Sequence, residues 1–174
     1  DFFDVGLVLS RSPIPRGNRI AILTNAGGPG IMAVDAFAQT ILTLAPLPHH
    51  AKNPLDLLGD ATPERYADAL AGLCDAATAD ASSLDGIIVV LTPQAMTQPD
   101  DVAQRIVEQH RAHPGVPILA SFIGGASVQL AREILEQHGI PHYSTPERAV
   151  AAMDVLVRQS RRAAHVSADS SAVL

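Results

Sequence analysis

Asn25-Ala26-Gly27-Gly28-Pro29-Gly30 lies between an apolar run, Arg19 to Thr24, and a segment with helical periodicity. Glycines at such a junction let the backbone approach a ligand closely. The first amides of the following helix have no partner within it, and the helix dipole adds partial positive charge there. The pattern predicts a phosphate- or carboxylate-binding turn at Asn25, Ala26, Gly27, Gly28 and Gly30. A tight strand-to-helix turn also needs glycine for backbone reasons alone, so both readings stand at this point. No Gly-Lys-Ser/Thr follows and the spacing is not G-x-G-x-x-G, so neither a Walker A loop nor a dinucleotide fingerprint is present.

Two further turns follow apolar runs. In Thr92-Pro93-Gln94 the Thr92 hydroxyl, the Gln94 amide N–H and its side-chain amide suit a small carboxylate, with an ordinary loop as the alternative. Gly124-Gly125 precedes another helical segment, so these residues join the candidate substrate-binding set. No catalytic constellation accompanies them: there is no nucleophile elbow and no pair of carboxylates at working spacing. Asp56 reads as a strand acid in need of a partner. The chain has seven histidines without metal-ligand spacing, and its single cysteine, Cys74, excludes an internal disulfide and a Cys-rich zinc site. No metal site is expected.

The elements that position these turns read as follows. A short helix over Phe2 to Leu9 and a breaker-rich loop lead to strands at Arg19 to Thr24, Asn53 to Leu58, Gly86 to Leu91, Val116 to Phe122 and Ile140 to Tyr143. Helices are expected over Ile31 to Leu44, from Thr62-Pro63-Glu64 onward, from Pro99 to about His110, over Ser127 to His138, and from Thr145-Pro146-Glu147 to about Arg162. Strands joined by helices run parallel, and five such units are too few for an eight-fold barrel. The expectation is an α/β, three-layer α/β/α domain: a flavodoxin-like, doubly wound parallel five-stranded sheet in the order 2-1-3-4-5. Ligands of such sheets sit beyond the carboxyl ends of the strands, where the strand order switches. The turns at Asn25 and Thr92 face that point. Residues 1–18 read as helix and linker, 19–162 as the domain, and 163–174 as a tail or linker.

Composition narrows the function classes. A formal net charge of -6 argues against non-specific nucleic-acid binding, because no broad face neutralises phosphates. No apolar run has membrane-spanning length, and a start of Asp1-Phe2-Phe3-Asp4 is not a signal peptide. A start without Met reads as an excised or processed domain. A reducing, cytoplasmic setting is expected.

Taken together, Pro15 to Gly30 followed by Asp35, Asn53-Pro54-Leu55-Asp56-Leu57-Leu58-Gly59-Asp60-Ala61, Thr92-Pro93-Gln94 and Tyr143-Ser144-Thr145-Pro146-Glu147-Arg148-Ala149 resemble the NDP-forming acyl-CoA synthetases. These are acetate–CoA ligases (ADP-forming), relatives of succinyl-CoA synthetase. The resemblance covers roughly residues 1–160 and implies the second flavodoxin-like domain of a modular enzyme. Its other parts are a CoA-binding domain, a phosphohistidine domain and an ATP-grasp domain, which carry CoA, ATP or ADP, and Mg. It implies that the glycine turn faces phosphate, acyl phosphate or phosphohistidine, and that Thr92 to Gln94 lies near the acyl group. None of the histidines stands in the family's Ser-His-Thr-Gly context, so the chain is expected to be inactive alone. A second implied reading is the non-catalytic, ligand-sensing module of a synthetase-like protein lysine acetyltransferase.

Overall fold

The computed structural model describes residues 2–80 and 83–171. Its order is α1 (Phe2–Arg11), β1 (Arg19–Thr24), α2 (Gly27–Phe37), β2 (Thr43–Leu44), β3 (Leu55–Asp56), α3 (Pro63–Ala79), β4 (Gly86–Leu91), α4 (Pro99–Ala112), β5 (Ile118–Phe122), α5 (Gln129–Gln137) and α6 (Pro146–Ser171). Short 3-10 turns cover Pro48–His50 and Gly125–Val128.

β1, β4 and β5 form the parallel centre of the sheet, with all of β4 and β5 and most of β1 buried. Successive side chains in a strand face opposite ways, so these strands feed two cores. Ala21, Leu23, Ile87 and Val89 pack with Tyr66 and Leu70 of α3, Ile106 of α4 and Leu135 of α5. On the other face, Ile20, Ile22, Ile88 and Val90 pack with Val8 of α1, Ala33 of α2 and Leu156 of α6. This is the expected three-layer α/β/α architecture.

The outer side of β1 is paired by two fragments. β2 pairs Arg19 and Ile20, while β3 pairs Leu23 and Thr24. The Asn53 side chain bridges the gap between them. Its Oδ1 accepts from the Ile22 amide at 3.0 Å, and its Nδ2 donates to the carbonyls of Ile20 at 2.9 Å and Ala45 at 3.0 Å. A single side-chain amide thus substitutes for one residue of strand.

The five strands are therefore not the expected five. Thr43–Leu44, read as the end of a helix, is β2, because α2 stops at Phe37. The expected fifth strand reduces to one bridge, Ala120 with His142. Pro141 has no N–H with which to extend the ladder. Burial pulls the His142 pKa down to about 4, and its neutral Nε2 accepts from the Phe122 amide at 3.2 Å. The segment read as a tail continues α6 as helix through Ser171. Its alanines have high helix propensity, although it shows no apolar period. The predicted caps hold: Thr62 accepts from Arg65 N–H and Thr145 from Arg148 N–H, each at 3.4 Å. Among the described residues, no helix is long and apolar enough to cross a membrane.

At the opposite end of the sheet, Asp85 is buried with its side chain 1% exposed. Its carboxylate accepts from the Arg19 backbone amide, Nε and Nη2 at 2.9, 2.9 and 3.0 Å. A Cβ on Gly17 would lie 2.5 Å from Asp85 Oδ2, so only glycine leaves room there. This gives Arg16-Gly17-Asn18-Arg19 a structural purpose.

Candidate functional site

The glycine segment is helix rather than a turn before one. α2 begins at Gly27, with Ala26 as an extended N-cap (φ -146, ψ 121) that offers no side-chain cap. The Gly30 amide donates to the Ala26 carbonyl at 3.1 Å, and Pro29 has no amide hydrogen. Two outward amides remain for a ligand, those of Gly27 and Gly28, and both residues are exposed. A Cβ on Gly28 would meet nothing within 4 Å. Gly30 acts differently: it is buried, and a Cβ there would lie 3.0 Å from Thr24 Cγ2. Its missing side chain lets α2 lie close on β1.

Asn25 does not offer its side chain to a ligand. It is 1% exposed, and its amide group joins two loops. Oδ1 accepts from the Thr92 backbone amide at 3.0 Å, and Nδ2 donates to the Thr92 carbonyl at 2.8 Å and to Thr97 Oγ1 at 3.2 Å. Beneath it, the Tyr66 hydroxyl donates to the Val90 carbonyl at 3.4 Å, and burial pushes the phenol pKa well above its ordinary value. The Thr92 hydroxyl is engaged within the loop, between Asn25 Oδ1 at 3.4 Å and Gln94 Nε2 at 3.3 Å.

The third predicted turn joins the other two. A Cβ on Gly124 would lie 2.6 Å from Pro93 Cγ and 2.8 Å from Ser127 Oγ, so this glycine is in close contact with the Thr92 loop. Gly125 has a φ of +56 in open space. Gly124→Ala must displace the rigid Pro93 ring, and overpacking of this kind costs about 1–3 kcal/mol. We expect that loss in urea unfolding, with moved amide resonances for Gln94. An unchanged midpoint and unmoved Gln94 would contradict the contact.

The loop after β3 completes the edge, and sequence reasoning had not assigned it a role beyond Asp56. Gly59 lies against Gln94, where a Cβ would be 3.8 Å from its Cδ. Asp56, expected to be buried, is exposed, because β3 is an edge fragment; its Oδ1 accepts from the Leu58 amide at 2.9 Å. Thr24, Gly27, Gly30, Ile31, Pro54 and Asp56 line a cavity of about 240 Å³. A Cβ on Gly27 would lie 3.7 Å from Asp56 Oδ2, which puts a carboxylate beside the outward amides. Ile31, Leu58, Met96 and Leu130 are each more than half exposed on the elements around this edge.

The remaining candidates are structural. His113 and His138 cap helix ends through Nδ1 contacts to the carbonyls of Gln109 and Ile134. Cys74 is buried, which pushes its thiol up to about 12. Among the described residues, no group of three or more His, Cys, Asp or Glu is placed to hold a metal.

Residues 20–167 match the Ligase-CoA domain family. The chain is 36% identical over 164 residues to the acetate–CoA ligase [ADP-forming] II subunit alpha of Pyrococcus furiosus, covering 86% of this chain and 35% of that protein. It is 34% identical to acetate–CoA ligase [ADP-forming] I of Archaeoglobus fulgidus, covering 92% of this chain and 24% of that one. A solved relative is the dinucleotide-forming acetyl-coenzyme A synthetase 1 of Ca. Korarchaeum cryptofilum, in complex with phosphate and ADP. It superposes with a TM-score of 0.81 at 30% identity, covering 95% of this chain and 38% of that one. The chain thus spans well under half the length of these relatives. On the residues matched, and on a sheet that superposes on that synthetase, the chain belongs to the Ligase-CoA domain family.

Proposed function

We propose that this chain is one module of an ADP-forming acyl-CoA synthetase and works with other domains to interconvert acyl-CoA, ADP and phosphate with acid, CoA and ATP. The observation that carries this reading is the open start of α2, where Gly27 and Gly28 are exposed just after Asn25, whose side chain holds the Thr92 loop. A helix start stabilises a phosphate or phosphohistidine by charge and by direct hydrogen bonds. The adjacent loop, held by Asn25, supplies the Gln94 amide toward an acyl group. The exposed Ile31, Leu58, Met96 and Leu130 suit burial against a neighbouring domain. In this reading the CoA-binding, phosphohistidine and ATP-grasp domains contribute the histidine and hold CoA, the nucleotide and Mg. The setting is cytoplasmic, and the chain alone does not turn over. The ligases among its relatives support this reading, whereas the alternative of an acetyltransferase sensing module has no feature of the edge in its favour.

The test is a phosphate titration of the isotope-labelled chain, followed by backbone amide NMR. Saturable shifts at Gly27 and Gly28 in the millimolar range are expected, because a site shared between domains is weak on one of them. Unmoved Gly27 and Gly28 amides at tens of millimolar would remove the anion site from the reading. Asp56→Asn takes a like charge from beside the anion while keeping an acceptor for Leu58. It should tighten phosphate binding about threefold at low salt, and less at high salt.

A further inference from the structure

Thr97 takes no part in the site as the sequence presents it. It sits two residues before Pro99, at the far end of the loop that Thr92 opens, and is 5% exposed. Its hydroxyl makes two bonds at once. Oγ1 donates to the Ala61 carbonyl at 3.0 Å and accepts from Asn25 Nδ2 at 3.2 Å. Its backbone amide donates to the Gln94 carbonyl at 3.1 Å.

One hydroxyl therefore connects three loops. Ala61 belongs to the loop after β3, Asn25 to the loop after β1, and Thr97 to the loop after β4. Asn25 in turn holds Thr92 by a reciprocal pair of bonds. The stretch from Pro93 to Met96 is thus pinned to the same side chain at both ends, at Thr92 and at Thr97. Gln94 projects from it. Because Asn25 and Thr97 are buried, moving either leaves polar groups without partners in a dry place. The network therefore ties the loop that carries Gln94 to Asn25, two residues before Gly27.

We propose that Thr97 is a positioning residue that makes the glycine start of α2 and the Thr92–Gln94 segment a single site for a ligand carrying both an acyl carbonyl and a phosphate. This deepens the functional reading above and rests on it. A ligand that reaches two fixed subsites gains from both, whereas subsites free to drift apart lose that gain.

The experiment titrates the labelled chain with inorganic phosphate, acetate and acetyl phosphate in turn, as wild type, Thr97→Val and Thr97→Ser. Wild type should bind acetyl phosphate about tenfold more tightly than phosphate. Thr97→Val should keep its phosphate affinity within about twofold while acetyl phosphate falls to the level of phosphate. Thr97→Ser, which retains the hydroxyl, should restore the preference. If Thr97→Val weakens all three ligands in parallel, or leaves the acetyl phosphate preference intact, Thr97 is a packing residue only and the proposal falls. If wild type binds none of the three, the anion-site reading fails by itself, and amide hydrogen exchange decides the role of Thr97. Thr97→Val should then speed exchange at Thr92 about tenfold with Val89 unchanged, as local opening requires. Exchange at Thr92 that is unchanged, or that rises only in step with Val89, overturns the proposal in that case.

Discussion

Asn53→Ala should lower the unfolding free energy by about 2–4 kcal/mol, because it leaves two backbone groups without partners at once. The Ile22 amide and the Ala45 carbonyl are held by this one side chain, while the Ile20 carbonyl keeps the Ala45 amide as a donor at 3.0 Å. Ile20 and Ile22 are fully buried, so water does not readily replace what is removed. An orphaned buried polar group costs about 1–3 kcal/mol, and the sum is discounted because Asn53 is itself only half-buried. Urea unfolding monitored by circular dichroism measures the loss. A change below about 1 kcal/mol would mean that the gap between β2 and β3 is bridged by something other than Asn53.

Asp85→Ala is the second large effect, at about 3 kcal/mol. The carboxylate is buried and accepts three hydrogen bonds from Arg19, one of them from the backbone of β1. Removing it takes from Arg19 its buried ion-pair partner and from the Arg19 amide its acceptor. The Arg19 side chain is 29% exposed, and solvent therefore softens the loss of the ion pair. Thermal unfolding of Asp85→Ala beside Asp85→Asn separates the two parts. The asparagine variant keeps an acceptor for the backbone amide and should recover part of the stability. Equal losses in the two variants would assign the whole effect to charge.

The readable parts of the fold were those where burial dominates. Arg19 to Thr24, Gly86 to Leu91 and Ile118 to Phe122 are nearly continuous apolar runs, and a parallel sheet covered on both faces requires them. Thr62-Pro63 and Thr145-Pro146 were readable because capping is local chemistry. Thr43–Leu44 could not be read, since two residues carry no periodicity. The start of α2 was placed late because Gly27, Gly28 and Gly30 are poor helix formers. Their position is fixed instead by the packing of Gly30 on Thr24.

The candidate site divides the same way. The loops carrying the glycine and Thr-Pro-Gln signals follow β1 and β4, and Gly124 against Pro93 brings two of the three predicted turns together. The role of each residue was not legible. The Asn25 side chain clamps Thr92 and Thr97, which its place in the glycine turn does not reveal; Thr97 had no local signal because its partners, Asn25 and Ala61, are distant in the chain. Long-range polar networks of this kind leave no spacing pattern to find.

The divided edge of the sheet also bears on how these molecules behave at high concentration. An exposed, straight outer strand is a template on which a second chain can add its own strand, and growth from there leads to aggregates. Here that template is broken. Thr43–Leu44 and Leu55–Asp56 are two residues each, Pro54 has no amide to donate, and the amide of Asn53 is turned inward to Ile20 and Ala45. An incoming strand finds no uninterrupted row of donors and acceptors. The side chain that completes β1 therefore also protects the chain against intermolecular strand addition, and its loss exposes the Ile20–Ile22 backbone to neighbouring molecules as well as to water.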